Sequence, residues 1–212
     1  MTDEQTPVID DEQTQTVEDD PSPVVTPWGY TVESLSSIIT VAEFKALCPG
    51  LSSTDTEIQA VLDAVSAAIR DYCGWHVAPS LECTFTGEGE GRLLVLPAMG
   101  VTDVSSLTIS GEALTGYEWT AAGMVRLKTS VFPDVWRSVV CVYTAGFTAG
   151  AIGQVVAQIA SNALAAAPGV ASERAGNVSI NYNQTGAGIT GGVSLLPRDY
   201  DLLAPYKLAR AW

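Results

Sequence analysis

The chain has 212 residues, 47% of them hydrophobic, and a formal net charge of −14, which is enough length to bury a core without a disulfide or metal staple. Ten basic residues against 24 acids, with no basic stripe, disfavour direct binding of a phosphate backbone. One histidine and four widely spaced cysteines lack the paired spacing of a structural zinc site, so the thiols are read as reduced and partly buried, and no metal or cofactor is expected.

The first 30 residues hold eight acids and no Lys or Arg. With their Thr, Gln and Pro content they cannot bury enough apolar surface to fold alone. An acidic, disordered tail is therefore expected over 1–37, and its start is not the basic-then-apolar pattern of a secretory signal. Thr40-Val-Ala-Glu43 then reads as a capping box opening a short helix, which Pro49-Gly50 ends. A second box, Thr54-Asp-Thr-Glu57, opens a longer helix in which Ile58, Val61, Leu62, Val65, Ile69 and Tyr72 share one face. Gly74 stops it. These elements make up a first helical part, 38–80.

From Leu81 to Thr144 the period shortens to that of strands. "ECTFT" and "RLLVLP" flank Gly87–Gly91 as a hairpin would, "DVSSLTIS" breaks at Gly111, and "YEWT" meets "MVRLKT" across an Ala-Ala-Gly turn. "SVVCVYT" closes the set, for about six mostly antiparallel strands in a module over 81–147. An Ala-rich helix over 152–167 follows, broken by too many polar residues to cross a bilayer. Then come a glycine-rich stretch with a strand-like "VSINY" and a last short helix, "PRDYDLLAP", with Pro197 in its first turn. The expected class is α+β: a small helical bundle (38–80 and 148–212, the latter with an extended C-terminal arm) carrying an inserted antiparallel β module.

Motifs that carry chemistry are missing. "YTAGFTAG", 143–150, has the strand–glycine–helix layout of a phosphate loop, yet Gly146 and Gly150 match neither G-x-x-x-x-G-K-[ST] nor G-x-G-x-x-G. The better reading is a corner, with Gly146 making the turn and Tyr143 and Phe147 pinning it by packing. His76, beside Trp75 near a helix end, reads as a packing residue. Glu88 and Glu90 alternate with glycines in a turn and read as solvated charge rather than as a hydrolytic pair. No catalytic residue is assigned, and the chain is not expected to be an enzyme.

The order of motifs is more telling. Leu96-Pro97…Val101…Val104, Tyr143-Thr-Ala-Gly-Phe147, Ser172-Glu-Arg-Ala-Gly176 and Leu203-Ala-Pro-Tyr206 follow a capped helix pair, in an arrangement that spans about 38–208. It resembles the head–tail connector (adaptor) proteins of long-tailed double-stranded DNA phages, though with a longer acidic leader and a larger β region. The resemblance implies a structural protein of the virion neck, made in the host cytoplasm. It implies a ring, commonly twelvefold, between the portal and a tail or stopper protein, with DNA passing through its lumen unbound and no membrane contact. It also suggests a partner interface: Val178, Ile180 and Tyr182 as an added strand, with Leu202, Leu203, Tyr206, Leu208 and Trp212 as apolar anchors. Leu202–Tyr206 could equally fold back on the chain's own helices. Another neck component, or a ligand- or host-recognising β module, are the alternative functions.

Overall fold

A computed structural model of the chain describes residues 22–165, 172–175, 178–181, 184–186, 189–190 and 195–209. Both capping boxes form. Thr40 Oγ1 accepts from the Glu43 amide, and the Glu43 carboxylate accepts from the Thr40 amide at 2.7 Å, opening α1 (Val41–Leu47). Thr54 and Glu57 do the same for α2 (Asp55–Cys73), which ends on Gly74 in the left-handed conformation. There a glycine carries no Cβ penalty. Ile58, Leu62, Val65, Ile69 and Cys73 line the buried side of α2.

Two short strands precede α1: β1 (Val24–Val25) and β2 (Tyr30–Val32). After α2 come β3 (Leu81–Gly87), β4 (Leu93–Val95), β5 (Asp103–Ile109), β6 (Glu112–Ala113), β7 (Tyr117–Trp119), β8 (Met124–Leu127) and β9 (Val139–Ala145). Six of these form one antiparallel sheet in the order β1-β2-β3-β9-β5-β6, and the other three a second sheet, β4-β8-β7. α3 (Gly150–Ala165) packs on α2. Beyond it β10 (Ser172–Ala175) pairs with β11 (Val178–Asn181), and β12 (Gln184–Gly186) with β13 (Ile189–Thr190). α4 (Pro197–Leu203) and a 3-10 turn (Ala204–Tyr206) follow.

The α+β class is as expected, but a helical bundle with a separate β insert is not what forms. One buried cluster runs from Phe44, Leu62 and Ile69 through Tyr30, Cys83 and Tyr143 to Leu94, Val125 and Leu127. The central strand β9 alternates strictly, with Val139, Cys141, Tyr143 and Ala145 buried. Period-2 alternation gives it one core face, and that face is shared with the helices and with the second sheet.

Two further expectations shift. The tail was expected to reach residue 37, yet Tyr30 and Val32 are buried and pair with Phe85 and Cys83. Two apolar residues at i and i+2 suffice to hold a short strand on a sheet whose other strands are already paired. "ECTFT" and "RLLVLP" do not pair either: β3 lies between β2 and β9, and β4 joins β8. A single bridge, Glu90↔Leu93, closes the turn instead.

Candidate partner interface

The corner after β9 is built on a contact that only glycine permits. Gly146 has φ +119°, and a Cβ there would sit 2.6 Å from Pro79 O, 2.8 Å from His76 Nε2 and 2.9 Å from Ser80 Cα. The Phe147 amide donates to Val77 O at 2.8 Å, tying the corner to the segment leaving α2. The Phe147 ring meets Trp75 edge-on, with centroids 5.7 Å apart, and Tyr206 at 5.4 Å. Tyr143, three residues before Gly146 on β9, is fully buried and edge-on to Tyr30. Its hydroxyl lies against the Cys83 thiol, opposite it in register, which itself donates to Leu81 O.

His76 is a packing residue with both ring nitrogens used. The Tyr30 hydroxyl donates to Nδ1 at 2.7 Å and accepts from the His76 amide at 3.0 Å. Because Ala145 O can only accept, Nε2 carries the proton and donates to it at 2.9 Å. Burial, with Arg70 nearby, pushes the imidazole pKa down to about 4 against the pull of the Ala145 bond. Sequence reasoning placed His76 in the packing but missed its partners, because Tyr30 is 46 residues away and lies in a stretch read as tail.

Arg70 is likewise a clamp. Its Nε donates to His76 O, and its Nη2 donates to Ser36 O at 2.6 Å and Ala78 O at 2.8 Å. The His76 and Ala78 carbonyls flank Val77, a β-branched residue at φ +62°, a conformation that needs support from its surroundings. The guanidinium thus fixes the linker on which Gly146 and Phe147 rest.

Burial pushes the thiols of Cys73, Cys83 and Cys141 up to about 12, so they are not thiolates at neutral pH. Among the described residues no three His, Cys, Asp or Glu side chains cluster to hold a metal, and no helix is long and apolar enough to cross a membrane. Glu88 and Glu90 are exposed.

The C-terminal residues are divided between the core and the surface. Leu203 is fully buried. Tyr206 and Leu208 turn back onto the end of α2: Trp75 Nε1 donates to Tyr206 O at 2.7 Å, and the Leu208 amide donates to Cys73 O at 2.9 Å. Lys207 Nζ lies 4.7 Å from the Tyr72 ring centroid, and Tyr72 packs on Tyr200. A cleft of about 580 Å³ remains beside them, lined by Asp71–Gly74 and Lys207–Ala209. Leu202 points outward, 56% exposed, with Tyr200 at 40%. Val178 and Ile180 lie in β11, whose partner is β10 of the same chain. Tyr182 and Trp212 fall outside the described residues.

Further exposed apolar side chains lie on the second sheet and the loop before β9, among them Trp136, which its strand-like run marked for core or interface. Leu93, Val95 and Met124 are 39%, 61% and 41% exposed, and Val131, Val135 and Trp136 are more than half exposed. Their strand or loop settings gave a signal for packing, but the sequence did not say against which surface.

No protein-family model and no curated protein matches this chain. Solved structures do. A chain from the neck of an empty gene transfer agent (GTA) particle, computed with C6 symmetry, aligns at TM-score 0.55 and 18% identity, covering 82% of this chain and 92% of that one. A chain from the neck of the native particle, computed with C12 symmetry, aligns at 0.52 and 17%, covering 84% and 97%. A chain from the virion of the native gene transfer agent particle aligns at 0.56 and 17%, covering 86% and 97%. At these identities the likeness is one of fold, and it extends over nearly the whole of each neck or virion chain.

Proposed function

We propose that this chain is a non-enzymatic structural protein of the neck of a phage-like particle: a head–tail adaptor that forms a ring between the portal and a tail or stopper protein. The observation that carries the reading is the fold shared with gene transfer agent neck chains over 92–97% of their length. The C12 and C6 symmetries of those necks suit a cyclic assembly, and twelvefold is the ring size this reading adopts. A net charge of −14 suits a wall past which DNA slides, because such a wall repels phosphate rather than gripping it. The portal contact is assigned to the C-terminal segment, where Leu202 and Tyr200 offer exposed apolar surface, with β11 as a strand available to a partner.

Mixing the purified full chain with its cognate portal should give ring-on-ring particles by electron microscopy. A protein that stays monomeric and never joins the portal would sink the adaptor reading. Rings that join a tail-tube or stopper complex instead would assign it to another level of the neck.

A further inference from the structure

The loop 131–138 enters the central strand β9 as a fixed apolar tip. Phe132 anchors it: the side chain is buried against Gly89, and the amide donates to Gly91 O at 2.7 Å. The Val135 amide donates to Pro133 O at 2.9 Å, and at the loop's end the Ser110 amide donates to Ser138 O at 2.7 Å. Arg137 holds φ +53°, which a residue with a Cβ keeps only where its surroundings fix it there. On this footing Trp136 stands 76% exposed, with Val131 and Val135 also in solvent. A tip already fixed loses little freedom when a partner covers it, and Trp and Arg are the residues in which binding hot spots are richest.

The cleft at the end of α2 lies at the other end of β9. Phe147, just past the corner, packs on Trp75 and Tyr206, whose chain neighbours Gly74 and Lys207 line that cleft. The seven residues of β9 span about 20 Å, so a loop tied down at Gly91 and Ser110 cannot fill the cleft of its own chain. The cleft is itself a formed recess. Its two walls, Asp71–Gly74 and Lys207–Ala209, are joined by the Leu208 amide donating to Cys73 O, and its volume of about 580 Å³ admits an indole ring. Charges match across the two surfaces. Asp134 and Arg137 flank Val135 and Trp136, while Asp71 stands on one wall of the cleft and Lys207 on the other. None of these four makes an ion pair among the described residues. Arg137 can therefore meet Asp71 while Asp134 meets Lys207, and Glu90 and Arg92, on either side of the Gly91 anchor, add no net charge.

We infer that the Trp136 loop of one copy seats in the cleft at the end of α2 of the next, and that this head-to-tail contact is the repeating joint of the ring. The inference rests on the ring-forming reading above, and it names the occupant of the cleft, a second copy of this chain. A contact between two different patches is heterologous, the kind that repeats from copy to copy and closes where the rotation allows. Trp136 is the anchor, desolvated between the walls. The two reciprocal charge pairs fix its register and exclude the reversed docking, in which like charges would meet. Leu202 is not among the residues that line the cleft, so the joint leaves it open to another partner.

The experiment uses full-length variants: Trp136→Asp, the charge reversals Arg137→Asp and Asp71→Arg, and the chain carrying both reversals. Both reversals suit their settings, since Asp tolerates a positive φ and a base in the last turn of a helix complements its dipole. Thermal unfolding checks the fold, with Trp136→Ser as the alternate should Trp136→Asp misfold. Sedimentation and electron microscopy, alone and with the cognate portal, read assembly. Trp136→Asp and each single reversal should lower the yield of rings at least about tenfold. The double reversal should return it to within about threefold of wild type, because the pair is remade across the joint with its signs exchanged. Unchanged rings from Trp136→Asp, or a double reversal no better than the singles, would overturn the joint while leaving the neck assignment standing. Wild type that neither forms rings nor joins the portal would remove the neck assignment, and this inference with it.

Discussion

His76 binds its proton less readily in the folded protein than in the unfolded chain, and this sets a pH window. Its pKa falls from an ordinary 6.5 to about 4 on burial. Between those values the unfolded chain holds more protons, so stability is full above about pH 6.5 and falls as the pH drops toward 4. At pH 5 the loss should be about 2 kcal/mol, at roughly 1.4 kcal/mol per pH unit. Urea unfolding at pH 7.5 and 5.0 should show that difference in wild type and little of it in His76→Gln. Glu43 and Glu57, lowered by hydrogen bonds from the Thr40 and Thr54 backbone and hydroxyl, lose their contribution only below the ordinary carboxylate range. Equal drops in both proteins would therefore contradict the assignment. Gly146 sets a steric limit at the same spot: a side chain there would meet Pro79 O and His76 Nε2 at a φ that disfavours any Cβ. Gly146→Val should cost more than about 3 kcal/mol, strain and clash together. A melting temperature within a few degrees of wild type would show that the corner can relax.

Local signals marked most elements, and distant pairing marked few. The boundaries of α1 and α2 were legible because a capping box and a terminal glycine act within four residues of the helix end. The β7–β8 hairpin was legible from its short turn. The partition of strands into two sheets was not, since alternation tells which face of a strand is buried but not which strand lies beside it. β2 was hidden for a related reason: Tyr30 and Val32 sit in a polar, Pro-containing leader, and only their partners Phe85 and Cys83 make them a strand. The corner glycine could be read from "YTAGFTAG", whereas Arg70 as a clamp on Ser36, His76 and Ala78 could not, because an arginine in the last turn of a helix ordinarily stays in water. The C-terminal segment behaves as part of the fold up to Leu208. Tyr206→Ala keeps the Trp75–Tyr206 backbone bond but removes a ring 5.4 Å from Phe147, and should cost about 1–2 kcal/mol. Limited proteolysis should then cut more readily within 195–209. An unchanged digestion rate would mean that Leu203 alone holds the segment.

For the whole molecule the question is how one segment can serve both the fold and a neighbour. Leu203 is fully buried, and Tyr206 and Leu208 are tied to Trp75 and Cys73, so removing 195–212 would damage the fold along with any docking surface. Leu202 separates the two roles. It is adjacent to Leu203 but 56% exposed, and a surface position of this kind changes stability by at most about 0.5 kcal/mol when substituted. Placed in an apolar pocket of the portal, the same side chain would contribute about 1–3 kcal/mol to binding. Leu202→Asp should therefore unfold at the wild-type temperature yet bind the portal at least tenfold more weakly, while Leu203→Asp should fail to fold. Sedimentation of portal mixtures and thermal unfolding of each variant read the two effects independently. Wild-type portal binding by Leu202→Asp would move the portal contact away from this helix and toward the strands after α3.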